Sequence, residues 1–241
     1  MKLAVVIPCY NEKDNLSLIV ERMNKAFVGR KNIDVILVDN GSNDGSDKVF
    51  EHLLDGHDFI RYVKIKKNIG YGHGILFGIN KAHDADVYSW THADMQTDPY
   101  DVLTAFDLLC SKGIENNIVQ GKRGKRAVLE MFFTYFMQVI ASMVLAVKVN
   151  DVNAQPKVFS KYFFEKYIHN KAPLDFSLDL FVLYQARKAG YRILTVPVVF
   201  AKRLHGEAKG GGNWRTRIKL IKRTLTYIFE LKRFIKIERM K

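Results

Sequence analysis

The sequence predicts an α/β fold in which a mostly parallel central sheet is covered by helices. Short runs of apolar, mainly β-branched residues alternate with stretches whose apolar residues recur at helical spacing. This repeated strand–helix order is typical of parallel sheets whose strands are buried on both faces. A chain of 241 residues, 48% of them hydrophobic, is long enough for one large domain with a substantial core.

The predicted elements follow one another closely through the first half of the chain. Strands are predicted at residues 2–8, 33–38, 60–65, 87–90 and 118–120. Helices are predicted between the first four of them, at residues 16–27, 49–54 and 75–82. In a sheet of this kind, ligands bind at the edge where the carboxyl ends of the strands lie.

Polar residues collect directly after three of these strands. Asn11 and Glu12 follow the first strand, the run from Asp39 to Ser42 follows the second, and His92 to Gln96 follow the fourth. Asn, Asp, Gly and Ser are also the ordinary residues of turns, which is our interpretation of residues 43–45. Three strand ends that all carry acceptor groups nevertheless favour a ligand site at this edge.

The charge of the chain predicts an anionic partner. The formal net charge is +13 and the pI is near 9.6, which suits nucleic acid, an acidic membrane surface or phosphorylated substrates. A nucleic-acid function would leave the acidic strand ends unexplained, and the basic segments hold few aromatic residues for base stacking, so we expect no nucleic-acid partner. Cys9 and Cys110 lie in apolar surroundings and are interpreted as buried reduced thiols. The apolar run before Pro8 is too short for a signal peptide, which predicts a cytoplasmic protein.

Five short motifs occur in a characteristic order. They are Val-Ile-Pro-Cys-Tyr-Asn-Glu at 6–12, Val-Asp-Asn-Gly-Ser-Asn-Asp at 38–44, Lys-Asn-Ile-Gly at 67–70, His-Ala-Asp-Met-Gln at 92–96 and Arg-Leu-His-Gly-Glu-Ala-Lys at 203–209. In this order they resemble the family 2 glycosyltransferases, and within that family the dolichol- and polyprenyl-phosphate sugar synthases. The resemblance covers most of the chain.

The resemblance implies a fold, a reaction and a set of site residues. The fold is the nucleotide-diphosphosugar transferase fold usually called GT-A. The reaction is an inverting transfer of a sugar from a GDP- or UDP-sugar to a polyprenyl- or dolichyl-phosphate. A divalent cation, Mg²⁺ or Mn²⁺, would bridge the sugar diphosphate and be held by Asp94 and Gln96. Arg203 and Lys209 would face the phosphates that are joined or released. The nucleotide would lie against Pro8, Tyr10, Glu12, Asp39, Gly41, Asn68 and Gly70.

One residue departs from the family's metal motif, because His92 stands where the first aspartate is expected. Imidazole suits manganese and later transition metals, whereas magnesium prefers oxygen ligands. His92 is interpreted either as a neutral metal ligand that shifts the preference toward manganese, or as a group that hydrogen-bonds a ribose or phosphate. Loss of activity is the third alternative. We favour the first two, because Asp94 and Gln96 are retained.

A basic segment predicts a phosphate acceptor. A phosphate monoester is largely ionised near neutral pH, so it needs cations to position it more than it needs a general base. Lys122, Arg123 and Arg126 follow the short strand at 118–120 and could bind the acceptor phosphate. A solvated basic loop would have the same composition.

The main alternative is a transferase that acts on a saccharide hydroxyl in cell-surface polysaccharide synthesis. Asp151 and Asp179 could orient a sugar hydroxyl or serve as the base for such an acceptor. Asp179 could equally cap a helix. A catalytically silent relative is the other alternative.

Two segments predict peripheral attachment to the cytoplasmic face of a membrane. The apolar stretch 127–147 contains Glu130 and Gln138 and is interpreted as an interfacial helix, rather than a span or a buried core helix. In residues 213–241 an apolar stripe at helical spacing lies among many Lys and Arg residues, which is typical of a helix on an anionic bilayer. Such a helix could alternatively pack its stripe on the core.

These interpretations divide the chain into a catalytic domain at residues 1–212 and a basic amphipathic helix at 213–241. Within the catalytic domain, residues 1–98 form the nucleotide-sugar half and 99–212 the acceptor half. Three consecutive glycines at 210–212 predict a flexible segment, which we expect to close over the bound donor.

Overall fold

The computed structural model describes residues 1–53, 58–124, 128–201 and 214–238. Within these residues the strands are β1 (Leu3–Cys9), β2 (Ile33–Asp39), β3 (Ile60–Lys64), β4 (Val87–Trp90), β5 (Asn117–Arg123), β6 (Lys157–Ser160) and β7 (Arg192–Val198). They form one sheet in the order β3-β2-β1-β4-β6-β5-β7. The expected α/β architecture is therefore confirmed.

The sheet is parallel except at one strand. β1 pairs in parallel with both β2 and β4, β2 with β3, and β5 with β7, whereas β6 is antiparallel to β4 and β5. The carboxyl ends of the six other strands consequently lie at one edge of the sheet. The chain moves outward from β1 to β3 and then crosses to β4 on the other side of β1. This reversal creates a crevice at the carboxyl ends of β1 and β4.

Helices cover both faces of the sheet. Their bounds are α1 (Leu16–Phe27), α2 (Ser46–Leu53), α3 (Tyr71–Ile79), α4 (Pro99–Lys112), α5 (Val128–Leu145), α6 (Lys161–Phe163), α7 (Leu178–Lys188) and α8 (Trp214–Glu238). A π-helical stretch, Phe164–Ile168, continues α6, and a 3₁₀ turn, Lys13–Asn15, precedes α1. One core cluster joins the sheet to α1, α2 and α4, and the other joins it to α3, α5, α7 and α8.

Alternating residues of β1 enter the two clusters, because successive side chains of a strand point to opposite faces. Residues 3–7 are fully buried, as expected for a central strand. Both cysteines are free, as predicted, but only Cys9 is buried and Cys110 is partly exposed.

The structure corrects the predicted position of the basic segment. The strand expected at 118–120 extends from Asn117 to Arg123, because β5 pairs with β7 through the whole register from Asn117 opposite Arg192 to Arg123 opposite Val198. Lys122 and Arg123 therefore lie in a strand and not in a loop after it, and Arg126 lies outside the described residues. The third predicted helix is also displaced toward the amino terminus, since α3 begins at Tyr71, directly after Gly70.

Helix α8 packs on the core along part of its length. Ile228 and Leu231 are buried in the cluster that contains α5 and α7, whereas Ile218 and Phe229 are exposed. The apolar stripe therefore packs inward in the second half of α8, and Ile218, near the start of the helix, faces outward. On α5, Tyr135, Phe136 and Met143 are exposed. In the part of the chain that the structure describes, none of the helices combines the length and hydropathy needed to cross a membrane.

Two adjacent residues of α8 test this packing. We expect Ile228→Ala to lower the free energy of unfolding by roughly 2–4 kcal/mol, because the side chain is buried and its removal leaves a cavity. Phe229→Ala is the matched control and should change that free energy by less than about 0.5 kcal/mol, because Phe229 is exposed. Urea unfolding followed by circular dichroism measures both. Equal effects of the two substitutions would contradict the orientation of α8.

Candidate active site

The ends of β1 and β2 are joined by hydrogen bonds between their following loops. The Asn40 backbone N–H donates to the Cys9 carbonyl at 2.8 Å. The Asn11 N–H donates to the Ser42 Oγ at 3.0 Å, and the Asn43 N–H donates to the Asn11 Oδ1 at 2.9 Å. Asn11 has a positive φ of 53°, a conformation that asparagine tolerates better than most residues. The first two motifs therefore form one continuous rim at the sheet edge.

Two carboxylates lie within this rim. Asp39 is fully buried, and its two oxygens accept hydrogen bonds from the Ser42 N–H at 2.8 Å and the Tyr62 hydroxyl at 3.1 Å. Glu12 is 9% exposed and accepts a 2.6 Å hydrogen bond from the Asn15 amide. The rim thus places fixed acceptor groups where the sequence predicts the nucleotide. Pro8, near the end of β1, and Tyr10, directly after that strand, are partly buried.

The third motif packs against the second at a glycine. Gly41 has φ +75°, and a Cβ there would lie 2.5 Å from the Asn68 backbone nitrogen. The Asn68 side chain accepts from the Gly70 N–H at 3.0 Å, and the Asn40 amide donates to the Gly70 carbonyl at 3.0 Å. The structure therefore joins Gly41, Asn68 and Gly70 beside the end of β2, while Pro8, Tyr10 and Glu12 lie at or directly after the end of β1, the strand paired with β2.

The β4 loop, residues 91–97, follows the fourth strand. The Thr91 and Thr97 hydroxyls are hydrogen-bonded at 2.8 Å and close the loop at its base. Asp94 is 6% exposed and accepts from the Gln96 N–H at 3.2 Å, while Met95 takes a positive φ of 63°. The loop is therefore a tight turn held by hydrogen bonds between its own residues.

The β4 loop is also bonded to the segment that follows β7. The Ala201 N–H donates to the Gln96 carbonyl at 2.9 Å, and the Gln96 amide donates to the Ala201 carbonyl at 3.1 Å. Ala201, which precedes the predicted residues Arg203 and Lys209 in the sequence, is therefore held against the β4 loop. Both residues, and the glycines at 210–212, lie outside the described residues.

His92 lies between two aromatic rings. The ring centroids of Tyr71 and Phe200 are 6.4 Å and 6.1 Å from that of His92. Burial lowers the pKa of His92, and the charges of Lys157 and Arg123 act in the same direction. The nearby carboxylates of Asp94 and Asp179 oppose the shift but do not reverse it. A lowered pKa favours the neutral imidazole, which is the form that binds a metal ion.

The side chains near β4 offer a small ligand set. Among the residues that the structure describes, no three His, Cys, Asp or Glu side chains are grouped as they would be in a complete metal site. A neutral imidazole and a carboxylate two residues apart can still supply part of a coordination sphere. Such a pair fits a cation whose other ligands come from a bound diphosphate and water.

Arg123 and Asp151 form an ion pair at the end of β5. The Arg123 Nε and Nη2 donate to Asp151 Oδ1 at 2.9 Å and 2.5 Å, and the Arg123 backbone N–H donates to Oδ2 at 2.7 Å. The guanidinium carbon lies 5.6 Å from the centroid of the Phe200 ring. Phe200 therefore contacts both Arg123 and His92. Lys122 is exposed, and strand alternation directs its side chain to the other face of the sheet from Arg123.

Asp179 belongs to a buried polar network below the β4 loop. Its Oδ1 accepts from the Gln155 amide at 2.9 Å and the Trp90 Nε1 at 3.3 Å, and lies 3.2 Å from the Lys157 Nζ. The N-cap position of α7 is Ser177, so Asp179 does not cap the helix. The network neutralises a buried carboxylate with a buried ammonium group, as buried charges require.

Lys157 is 1% exposed and donates to the carbonyls of Val152 and Ala154 at 2.7 Å and 2.8 Å. Burial lowers the pKa of Lys157. The charge of Asp179 and the hydrogen bond to it oppose this shift but do not reverse it.

Sequence reasoning missed three residues of this site: Tyr71, Lys157 and Phe200. Lysine is almost always exposed, so nothing in the sequence indicates that Lys157 is buried. Tyr71 carries a usable signal, because glycines flank it on both sides. A Cβ at Gly70 would lie 2.1 Å from the Leu174 carbonyl oxygen, and one at Gly72 would lie 2.6 Å from that of Pro173. An aromatic residue between two glycines thus marks a place where two segments approach closely.

Comparison with known proteins finds relatives that match most of this chain. The undecaprenyl-phosphate 4-deoxy-4-formamido-L-arabinose transferase of Proteus mirabilis is 25% identical over 215 residues, which cover 86% of this chain and 62% of the relative. The polyprenol monophosphomannose synthase of Mycolicibacterium smegmatis is 25% identical over 224 residues, covering 87% and 81% of the two chains. The chain thus spans less than two thirds of the length of the Proteus relative.

Solved structures share the fold. A mannosyltransferase from Pyrobaculum calidifontis, in complex with GDP-Man and Mn²⁺, aligns with a TM-score of 0.69 at 19% identity, over 95% of this chain and 64% of that one. Glucosyl-3-phosphoglycerate synthase from Mycobacterium tuberculosis, in complex with UDP, aligns with a TM-score of 0.71 at 14% identity, over 96% and 80%. The expected GT-A fold is confirmed. Residues 4–169 match Glycosyl transferase family 2. The chain is therefore a member of glycosyltransferase family 2.

Proposed function

We propose that this chain transfers a sugar from a nucleotide-diphosphosugar to a polyprenyl-phosphate. The observation that carries the proposal is the side-by-side placement of the β4 loop and the Arg123–Asp151 pair, with the Phe200 ring in contact with His92 and Arg123. A donor diphosphate at the β4 loop would lie next to an oriented guanidinium group. Relatives named for undecaprenyl-phosphate and polyprenol substrates support the same acceptor class.

The donor half binds the nucleotide. The rim built by the loops after β1 and β2 presents Asp39 and Glu12, with Gly41, Asn68 and Gly70 closing it from the side of β3. Carboxylates at this position accept hydrogen bonds from base and ribose groups. The residues of the rim determine whether the donor is a GDP-sugar or a UDP-sugar.

A divalent cation, Mg²⁺ or Mn²⁺, would be held by Asp94 and His92, and when bound it would stabilise the charge of the leaving diphosphate. The Gln96 amide nitrogen is bonded to Ala201, which leaves its carbonyl oxygen as the atom suited to a metal ion. A neutral nitrogen ligand at His92 favours Mn²⁺ over Mg²⁺. Two solved structures of the same fold are complexes that contain Mn²⁺ together with a nucleotide or nucleotide sugar, which supports a cation here.

The pairing of the two nearby carboxylates favours a phosphate acceptor over a hydroxyl acceptor. Asp179 is paired with Lys157 and accepts two further hydrogen bonds, and Asp151 is paired with Arg123. Both carboxylates are thus engaged by a cation, and neither is oriented toward an acceptor hydroxyl by these contacts. An ionised phosphate needs no base, and its oxygens match the planar guanidinium group that Asp151 orients. Asp151 and Asp179 are therefore assigned positioning roles.

A transfer assay tests this assignment. With a short-chain polyprenyl-phosphate and a panel of labelled GDP- and UDP-sugars, we expect label in the lipid fraction from the wild-type protein. Arg123→Gln should lower kcat/KM for the lipid phosphate by roughly 10- to 100-fold, because a charge-assisted hydrogen bond to the phosphate is lost. Binding of the donor should be unchanged.

Arg30→Gln is the matched control, since Arg30 also forms an ion pair, with Asp107, but lies at the opposite edge of the sheet. Its activity should equal that of the wild type. Wild-type activity in Arg123→Gln would contradict the proposed acceptor site. Label released only as free sugar would indicate a hydroxyl acceptor, and no turnover with any donor would indicate a silent relative.

We further propose that the protein attaches peripherally to an anionic membrane surface. The exposed apolar side chains of α5 and the first part of α8 lie on helices that pack against each other. Cationic side chains on α8, among them Lys219, are exposed and could contact anionic head groups. This placement would bring a lipid-borne phosphate to the enzyme from the bilayer.

Flotation with anionic liposomes tests the attachment. Phe136→Glu should lower the partition coefficient about tenfold, because it replaces an inserted aromatic ring with a charge that the bilayer repels. Val28→Glu places the same charge at an exposed site at the opposite edge of the sheet and should leave binding unchanged. Absence of wild-type binding at physiological salt would refute peripheral attachment.

A further inference from the structure

A column of stacked side chains connects His92 to the C-terminal helix. The Tyr71 ring neighbours His92 at 6.4 Å, and the Phe176 ring stacks on Tyr71 with centroids 4.7 Å apart and planes 8° apart. The guanidinium carbon of Arg223 lies 5.0 Å from the centroid of the Phe176 ring. Four side chains from the β4 loop, α3, the loop before α7 and α8 thus form one continuous series of contacts, in which the Tyr71 and Phe176 rings are stacked.

The middle of this column is fixed by the backbone. The His73 N–H at the start of α3 donates to the Leu174 carbonyl at 2.8 Å. Gly70 and Gly72 allow the loop before α7 to approach so closely that a side chain at either position would collide with it. The contact between Tyr71 and Phe176 is therefore imposed by the way the two segments dock.

The outer end of the column is fixed by α8. Arg223 lies 3.5 Å from the Asp175 carboxylate, next to Phe176, so it is held by an ion pair and by the ring together. One turn further on, Tyr227 is packed against the core, and burial raises the pKa of its hydroxyl. Ile228 is buried beside it. Docking of α8 on the core consequently places Arg223 over Phe176.

We propose that Arg223 is a positioning residue of the transferase centre, acting on His92 through Phe176 and Tyr71. A cation over one face of Phe176 keeps that ring in contact with Tyr71, and Tyr71 limits the orientations of the His92 imidazole. This inference rests on the proposed transferase function. It makes α8 part of the catalytic unit, whereas its cationic residues by themselves would make it only a membrane-binding segment.

Arg223→Gln tests the proposal against Lys222→Gln. Lys222 is the adjacent exposed cation of α8, so both substitutions remove one positive charge from the same helix, but only Arg223 contacts the column. With acceptor lipid dispersed in detergent, so that no bilayer is needed, we expect Arg223→Gln to lower kcat about tenfold. KM for the lipid should not change. Arg223→Lys should recover part of kcat because it retains the cation.

The second readout is the NMR signal of the His92 ring protons, assigned by its loss in His92→Asn. These protons lie next to the Tyr71 ring, so a displaced column changes their chemical shifts. Arg223→Gln and Phe176→Leu should both shift them at an unchanged Tm, and Lys222→Gln should not.

Equal losses of kcat in the two glutamine variants, or unchanged His92 signals in Arg223→Gln, would overturn the proposal. The His92 NMR signals report whether Arg223 affects the position of the His92 ring, and they do so even in a protein that transfers no sugar. A wrong proposal about the reaction can therefore be distinguished from a wrong proposal about the role of Arg223.

Discussion

The position of the β4 loop is the constraint on which the rest of the site depends. β4 pairs in parallel with β1 on the side opposite β2, so the loop leaves the sheet at the point where the strand order reverses. Through Phe200, which contacts both His92 and Arg123, this loop is linked to the end of β5. The Thr91–Thr97 hydrogen bond and the hydrogen bonds between Gln96 and Ala201 fix the turn, which on the proposed function lies between the donor and the acceptor.

The same strand order places two charged side chains, Lys157 and Asp179, in the interior below this loop. β6 runs antiparallel and delivers Lys157 to the edge where the other strands end. An ammonium group in that position needs acceptors, which Asp179 and two backbone carbonyls supply. Because Asp179 also accepts from Trp90 at the end of β4, the network ties α7 and β6 to the strand that carries the loop. Removing either charge would leave the other buried without its partner.

The sequence predicted the parts of the molecule whose signals are local. Four strands in the first half were recognisable from β-branched runs, and the site edge from the polar residues that follow Cys9, Asp39 and Trp90. The extent of β5 was not predicted, because Lys122 and Arg123 look like loop residues until their pairing with β7 is known. Of the residues predicted on the nucleotide side, Gly41, Asn68 and Gly70 lie close together in the structure.

Long-range contacts explain what the sequence could not show. The stacking of Tyr71 on Phe176 joins residues about a hundred positions apart, and the buried state of Lys157 depends on Asp179 from a different helix. The sequence also could not show how the C-terminal helix packs on the predicted catalytic domain. Hydropathy described α8 as amphipathic, but only the packing of Ile228 and Leu231 shows that half of its stripe faces the core.

The central claim is that the β4 loop holds a cation jointly with the donor diphosphate. Titration of Mn²⁺ followed by electron paramagnetic resonance, with and without GDP- or UDP-sugar, tests it most directly. Because the loop supplies only part of a coordination sphere, we expect weak Mn²⁺ binding alone. The matching nucleotide sugar should lower the Kd at least about tenfold, and Asp94→Asn should abolish this effect. Mn²⁺ binding that is equally tight without a nucleotide sugar, or a nucleotide effect that persists in Asp94→Asn, would contradict the account.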